Sequence, residues 1–156
     1  MNHNELSIYR RRLPHWRLAG SVYFVTWRLA PAQPELNHLE RELVQSALMH
    51  FLNQRYRLLA YVVMNDHVHA LVGPLAGHLL QDIVRSWKSY TAHELVMKFG
   101  RVAHVWQDEY FDRIMRDEAE LREKANYILN NPWKRWPGTE NYSWVGCFWE
   151  VQESEP

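Results

Sequence analysis

Two histidines two residues apart, His67 and His69 in the run YVVMNDHVHALVGP (61–74), are the residues of this chain best placed for chemistry. Side chains two apart on a strand share a face, so both imidazoles project together while Val68 turns into the core. Such a pair makes two adjacent ligands for a divalent ion once a third donor arrives from elsewhere. The bland alternative is a pair of structural histidines.

A third donor is available in LREKANYILNNP (121–132), where Tyr127 and Asn131 stand four residues apart on one helical face. If that face packs over the open side of the sheet near the histidines, Asn131 offers an oxygen to the ion and Tyr127 hangs beside it. A tyrosine hydroxyl ordinarily has a pKa of about 10, so only about a thousandth is ionised at neutral pH. It therefore needs a susceptible electrophile. A phosphodiester gripped by a divalent ion qualifies, because the metal neutralises charge developing on the phosphoryl oxygens and orients the ester for in-line attack. A core or surface aromatic is the alternative reading of Tyr127.

The elements that must position these residues follow from periodicity and punctuation. Residues 21–29, SVYFVTWRL, are β-branched and aromatic and read as a strand, broken by APAQP. Apolar residues at three- and four-residue steps mark a helix from Glu35 to about Asn53. Residues 57–64 and 67–72 read as antiparallel strands joined by a tight Asn65-Asp66 turn. A second helix spans 79–99 and stops at Gly100. Another strand lies within 102–115, and a last helix runs from Asp117 to about Asn131, closing before Pro132. The order predicts an α+β fold, ferredoxin-like or RRM-like βαββαβ, with an antiparallel sheet, helices on one face and an additional C-terminal helix carrying the nucleophile. Many unrelated functions share that fold.

Four segments taken together, YVVMNDHVHALV, WKSYTAHEL, VWQDEYFDRIMRDEAEL and YILNNP, resemble the REP-associated tyrosine transposases, a branch of the single-tyrosine HUH transposase superfamily. The resemblance runs from about LPHWRLAGSVYFVTWRL to YILNNPWKRW. It implies a nuclease domain with His67 and His69 as metal ligands, Tyr127 as nucleophile and Asn131 as the helix-borne ligand. It also implies a Mg or Mn cofactor and a target of single-stranded DNA beside palindromic repeats folded as hairpins. Cleavage leaves a 5′-phosphotyrosine and a free 3′-hydroxyl, with a monomer or homodimer as the working unit. Two departures stand out: Asn65 occupies a position that is often Pro, and Trp133 to Pro137 replace a small Ala-Gly-Leu-like stretch. The second leaves the path of the C-terminal tail open. Rival readings are a non-catalytic RRM-like hairpin-binding protein and a metal-dependent hydrolase using water.

Composition bounds these readings. A chain of 156 residues is most simply one domain. We expect a basic arm over 1–18, a nuclease domain over 19–133 and a tail over 134–156. The single Cys147 excludes an internal disulfide and fits a reducing compartment. No apolar run approaches the roughly 18 residues of a membrane span, so the expectation is a cytosolic protein. Zero net charge argues against coating nucleic acid by charge alone, but the charge is unevenly spread. Arg10, Arg11, Arg12 and Arg17 on the arm are candidates for phosphate or groove contacts, as are Lys88 on the second helix and Arg113 and Arg116 before the last. Trp106, Tyr110 and Phe111 are candidates to stack on unpaired bases.

Overall fold

The computed structural model describes residues 20–148. Eight elements follow in order: β1 (Tyr23–Arg28), α1 (His38–His50), β2 (Tyr56–Val63), β3 (His67–Pro74), α2 (Leu80–Phe99), β4 (Phe111–Ile114), α3 (Glu118–Arg135) and β5 (Val145–Cys147). The strands form one antiparallel sheet in the order β4-β1-β3-β2-β5. The expected α+β arrangement is present, with α3 as the additional helix.

Alternation along the strands sorts the core into two layers. Val25, Trp27, Val68, Ala70 and Val72 pack with Val44 and Leu48 of α1 and Ile83, Val84, Trp87 and Leu95 of α2. On the other face, Phe24, Ala60, Val62 and Leu71 pack with Leu121, Ala125, Ile128 and Leu129 of α3. His67 and His69 therefore belong to the α3 face, between the sheet and the last helix.

Local signals explain most boundaries. α1 starts later than Glu35 because Asn37 and Glu40 form a reciprocal capping box, each side chain accepting from the other's backbone N–H at 2.9 and 3.0 Å. Gly100 ends α2 in the left-handed region, φ 69°, as a C-terminal glycine favours. The Asn65-Asp66 turn is closed by Met64 N–H on the His67 carbonyl at 2.8 Å and pinned by Leu29 and Leu36 N–H groups on the Asp66 and Asn65 carbonyls. His67 thus begins its strand from a fixed point.

At the C-terminal end the structure departs from expectation in two ways. α3 does not close before Pro132; it continues to Arg135, with Pro132 buried inside it. Proline deletes one intrahelical N–H donor, but its carbonyl still accepts from Trp136 N–H at 2.8 Å, and Trp136 packs on the α3-side core. The segment expected to be a tail also returns to the sheet, where β5 pairs with β2 and Tyr142 donates its hydroxyl to the Val63 carbonyl at 2.6 Å. No helix among the described residues is long and apolar enough to cross a membrane.

Candidate active site

Antiparallel pairing places Thr26 opposite His69 and Arg28 opposite His67. Opposed residues share a face, so β1 and β3 present four polar side chains to α3. The two imidazole centroids are 4.6 Å apart. Each ring is held through Nδ1: His69 by Thr26 Oγ1 at 2.7 Å, and His67 by Asp66 Oδ1 at 2.6 Å. A carboxylate only accepts, so Asp66 fixes the proton of His67 on Nδ1 and leaves a lone pair on Nε2.

α3 supplies the remaining groups. Lys124, Tyr127 and Asn131 occupy one stripe at three- and four-residue steps, while Leu121, Ala125, Ile128 and Leu129 hold the neighbouring stripe against the sheet. The Tyr127 ring lies 5.4 Å from that of His69 and 6.2 Å from Phe24, and Phe24 stacks on His69 at 5.3 Å. Asn131 hydrogen-bonds the His67 side chain. Lys124 Nζ stands 5.8 Å from the Tyr127 ring centroid.

Burial disfavours the charged form of both imidazoles. Burial lowers the pKa of His69 to about 3, helped by the charges of His67, Arg28 and Lys124. Burial also lowers that of His67, against the opposing pull of Asp66 and Asn131. His69 is only 3% exposed, and its Nε2 is buried with no hydrogen-bond partner among the described residues. Leaving a buried polar atom unpaired costs about 1–3 kcal/mol. A neutral imidazole with an orphaned nitrogen, a second imidazole and an amide make a donor set that a divalent ion fits. Among the described residues no three His, Cys, Asp or Glu side chains converge as a metal cluster; the group from α3 that hydrogen-bonds His67 is the amide of Asn131.

These groups open onto a cleft of about 700 Å³ lined by Phe24, Thr26, Arg28, His69, Tyr110, Phe111, Lys124 and Tyr127. Tyr127 is 43% exposed and Phe111 57%, so a ligand could reach both. A larger cleft of about 870 Å³ lies between residues 30–40 and 99–104. Its charges are spent internally: Arg101 donates to both carboxylate oxygens of Glu40, to Gln33, and to the Pro34 and Glu35 carbonyls. Of these two clefts, the smaller is the one lined by His69, whose Nε2 has no partner among the described residues.

The other sequence candidates lie elsewhere. Arg10, Arg11, Arg12 and Arg17 fall outside the described residues. Lys88 sits on α2, on the opposite face of the sheet from His67, and its ammonium donates to the Gln107 and Asp108 carbonyls at 2.7 and 2.9 Å. Arg113 and Arg116 converge on Glu120 at the start of α3. Trp106 is 4% exposed and donates to Thr91, so it belongs to the core and is not a stacking surface. Sequence reasoning passed over Asp66, Thr26, Arg28 and Lys124. Lys124 was readable as the residue one turn before Tyr127, whereas Thr26 and Arg28 required the strand register.

Comparison with known proteins bears on family and fold. A REP-associated tyrosine transposase of Escherichia coli strain K12 is 23% identical over 133 residues, covering 83% of this chain and 74% of that protein. The fold matches a solved REP-associated tyrosine transposase bound to a REP hairpin with a TM-score of 0.67 at 21% identity, over 90% of this chain and 82% of that one. A putative transposase of Deinococcus radiodurans R1 matches with a TM-score of 0.53 at 23% identity, over 70% of this chain and 88% of that one. Residues 35–131, more than half of the sequence and including both histidines, Tyr127 and Asn131, match the family described as "Transposase IS200 like", and the chain belongs to that family.

Proposed function

We propose that this protein is a metal-dependent endonuclease and strand transferase for single-stranded DNA, acting beside palindromic repeats folded as hairpins through a covalent 5′-phosphotyrosine. The observation that carries the reading is the position of Tyr127, whose ring is 5.4 Å from His69, the imidazole with the orphaned Nε2. In a hairpin-binding protein a phenol there would only stack on a base, and in a water-using hydrolase it would only position substrate; neither would form a covalent adduct.

His67, His69 and Asn131 would hold the ion, Mg or Mn. When bound, it neutralises the phosphoryl oxygens and orients the ester. Asp66 fixes the tautomer of His67, and Thr26 accepts from Nδ1–H of His69 in the tautomer that frees its Nε2. The Tyr127 oxygen attacks phosphorus, forming a P–O(Tyr) bond as the P–O3′ bond breaks. The phenolic proton leaves to solvent and the departing 3′ oxygen takes up a proton. Attack by a new 3′-hydroxyl reverses these steps and restores the phenol, so joining consumes no ATP. Phe111 and Tyr110, at the mouth of the cleft, offer faces on which unpaired bases can stack.

The test is a denaturing gel after incubation with Mn and a hairpin oligonucleotide carrying single-stranded flanks. Wild type is expected to give a covalent protein–DNA band that EDTA prevents. Tyr127→Phe is expected to bind the hairpin within about threefold of wild type, since affinity rests mainly on phosphate and base contacts, and to give no band. A band that survives Tyr127→Phe would remove the nucleophile from this account.

A further inference from the structure

Two cations face the cleft without a carboxylate partner. Lys124 stands three residues before Tyr127, with Nζ 5.3 Å from the Phe24 ring centroid, so its stem is laid along the aromatic wall. Arg28 ends β1 directly across the ladder from His67. Both line the cleft that holds Tyr127 and His69. Neighbouring cations are occupied: Arg113 and Arg116 by Glu120, and Arg122 by Glu118. Among the described residues, neither Lys124 nor Arg28 enters an ion pair. Glu109 is the one acidic residue of the lining, and it pairs with neither.

Such a grouping is costly for the protein alone. Two positive charges beside buried imidazoles disfavour their protonation, and no carboxylate among the described residues pairs with either. An anion in the cleft would. Lys124, adjacent to the phenol, is suited to the phosphate under attack, and Arg28, on the histidine side, to an adjoining phosphate, which a guanidinium can bind through two parallel hydrogen bonds.

On the reading of Tyr127 given above, we propose that Lys124 is a catalytic residue that contacts a non-bridging oxygen of the scissile phosphodiester, and that Arg28 binds the neighbouring phosphate of the same strand. Lys124 stabilises the charge that builds on the phosphoryl group during attack and remains on the phosphotyrosine. Arg28 sets the strand's position.

The experiment uses the full chain with Mn and a hairpin oligonucleotide of randomised single-stranded flanks, from which the wild-type adduct identifies the cleaved strand. That strand is then prepared with its scissile phosphate intact or replaced by an uncharged methylphosphonate. Lys124→Met keeps the stem and removes the charge. It is expected to slow adduct formation about 10²- to 10³-fold on the phosphodiester, with partial recovery in Lys124→Arg. On the methylphosphonate isomer whose methyl group replaces the oxygen facing Lys124, the same change should cost less than about threefold, because the oxygen that Lys124 contacts is gone. In anisotropy titrations, Lys124→Met and Arg28→Gln should each reduce the slope of log affinity against log salt by about 1. Arg28→Gln should weaken binding while leaving the adduct rate at saturating DNA within about tenfold of wild type. An equal loss on both substrates would reduce Lys124 to a structural role, and an unchanged salt slope would remove Arg28 from the strand. Wild type forming no adduct on any strand would defeat the nuclease reading, while the salt slopes would still report the two contacts.

Discussion

Burial decides the state of His69, with the charges of His67, Arg28 and Lys124 acting in the same direction. A histidine whose pKa is lower in the folded protein than in the unfolded chain carries fewer protons when folded, so acid favours unfolding. The stabilisation is fully present above about pH 6.5, the ordinary value, and declines as pH falls from there towards about 3 for His69. His67 shifts in the same direction. We therefore expect urea-unfolding stability to fall between pH 7 and pH 5, and the fall to be shallower in His69→Leu by up to about 1.4 kcal/mol per pH unit, the limit for one proton. Parallel curves for the two proteins would show that His69 titrates normally. At this scale the sequence was informative about type and facing: a two-residue step puts both imidazoles on one side. It was silent about which nitrogen is free, because Thr26 reaches His69 across 43 residues of chain. Asp66 was visible beside His67 but read as a turn residue, which it also is.

α3 serves two masters along its length. One stripe, Leu121, Ala125, Ile128, Leu129 and Pro132, is buried against the sheet; the adjacent stripe carries Lys124 and Tyr127 to the cleft and Asn131 to His67. The apolar stripe therefore fixes where the phenol stands. Ile128, fully buried next to Tyr127, should cost about 2–5 kcal/mol of unfolding free energy when changed to Ala, measured by urea titration; a cost below about 1 kcal/mol would mean the helix is not anchored there. The helix start was legible, since Asp117 accepts from Glu120 N–H at 2.8 Å with acidic residues in the first turn. Its end was not. Pro132 is locally a stop signal, and the helix passes it because Pro132 itself is buried and Trp136 beyond it finds the same core.

All four residues of the proposed nuclease centre, His67, His69, Tyr127 and Asn131, come together within a single chain. One protomer should then suffice for cleavage. Mixing Tyr127→Phe with the double variant His67→Ala/His69→Ala is expected to restore no adduct, whereas a dimer that exchanges α3 would recover one site in each heterodimer, about a quarter of all sites in an equimolar random mixture; appearance of the band in the mixture would overturn the single-chain arrangement. Distant segments meet elsewhere as well. Arg101, after α2, joins the start of α1 through Glu40, and β5 extends the sheet at β2, so the described residues from 134 to 148 belong to the body of the fold. The sequence by itself determined the element order, the shared face of the histidines and the helical stripe of Tyr127 and Asn131, because each depends on a repeat of two or of three to four residues within one element. Tertiary structure alone decided that the two stripes face each other, that Arg28 and Lys124 enter the cleft unpaired, and that the C-terminal segment closes the sheet. Those outcomes depend on strand register and on competition for buried surface between segments far apart in the chain, and no local pattern encodes them.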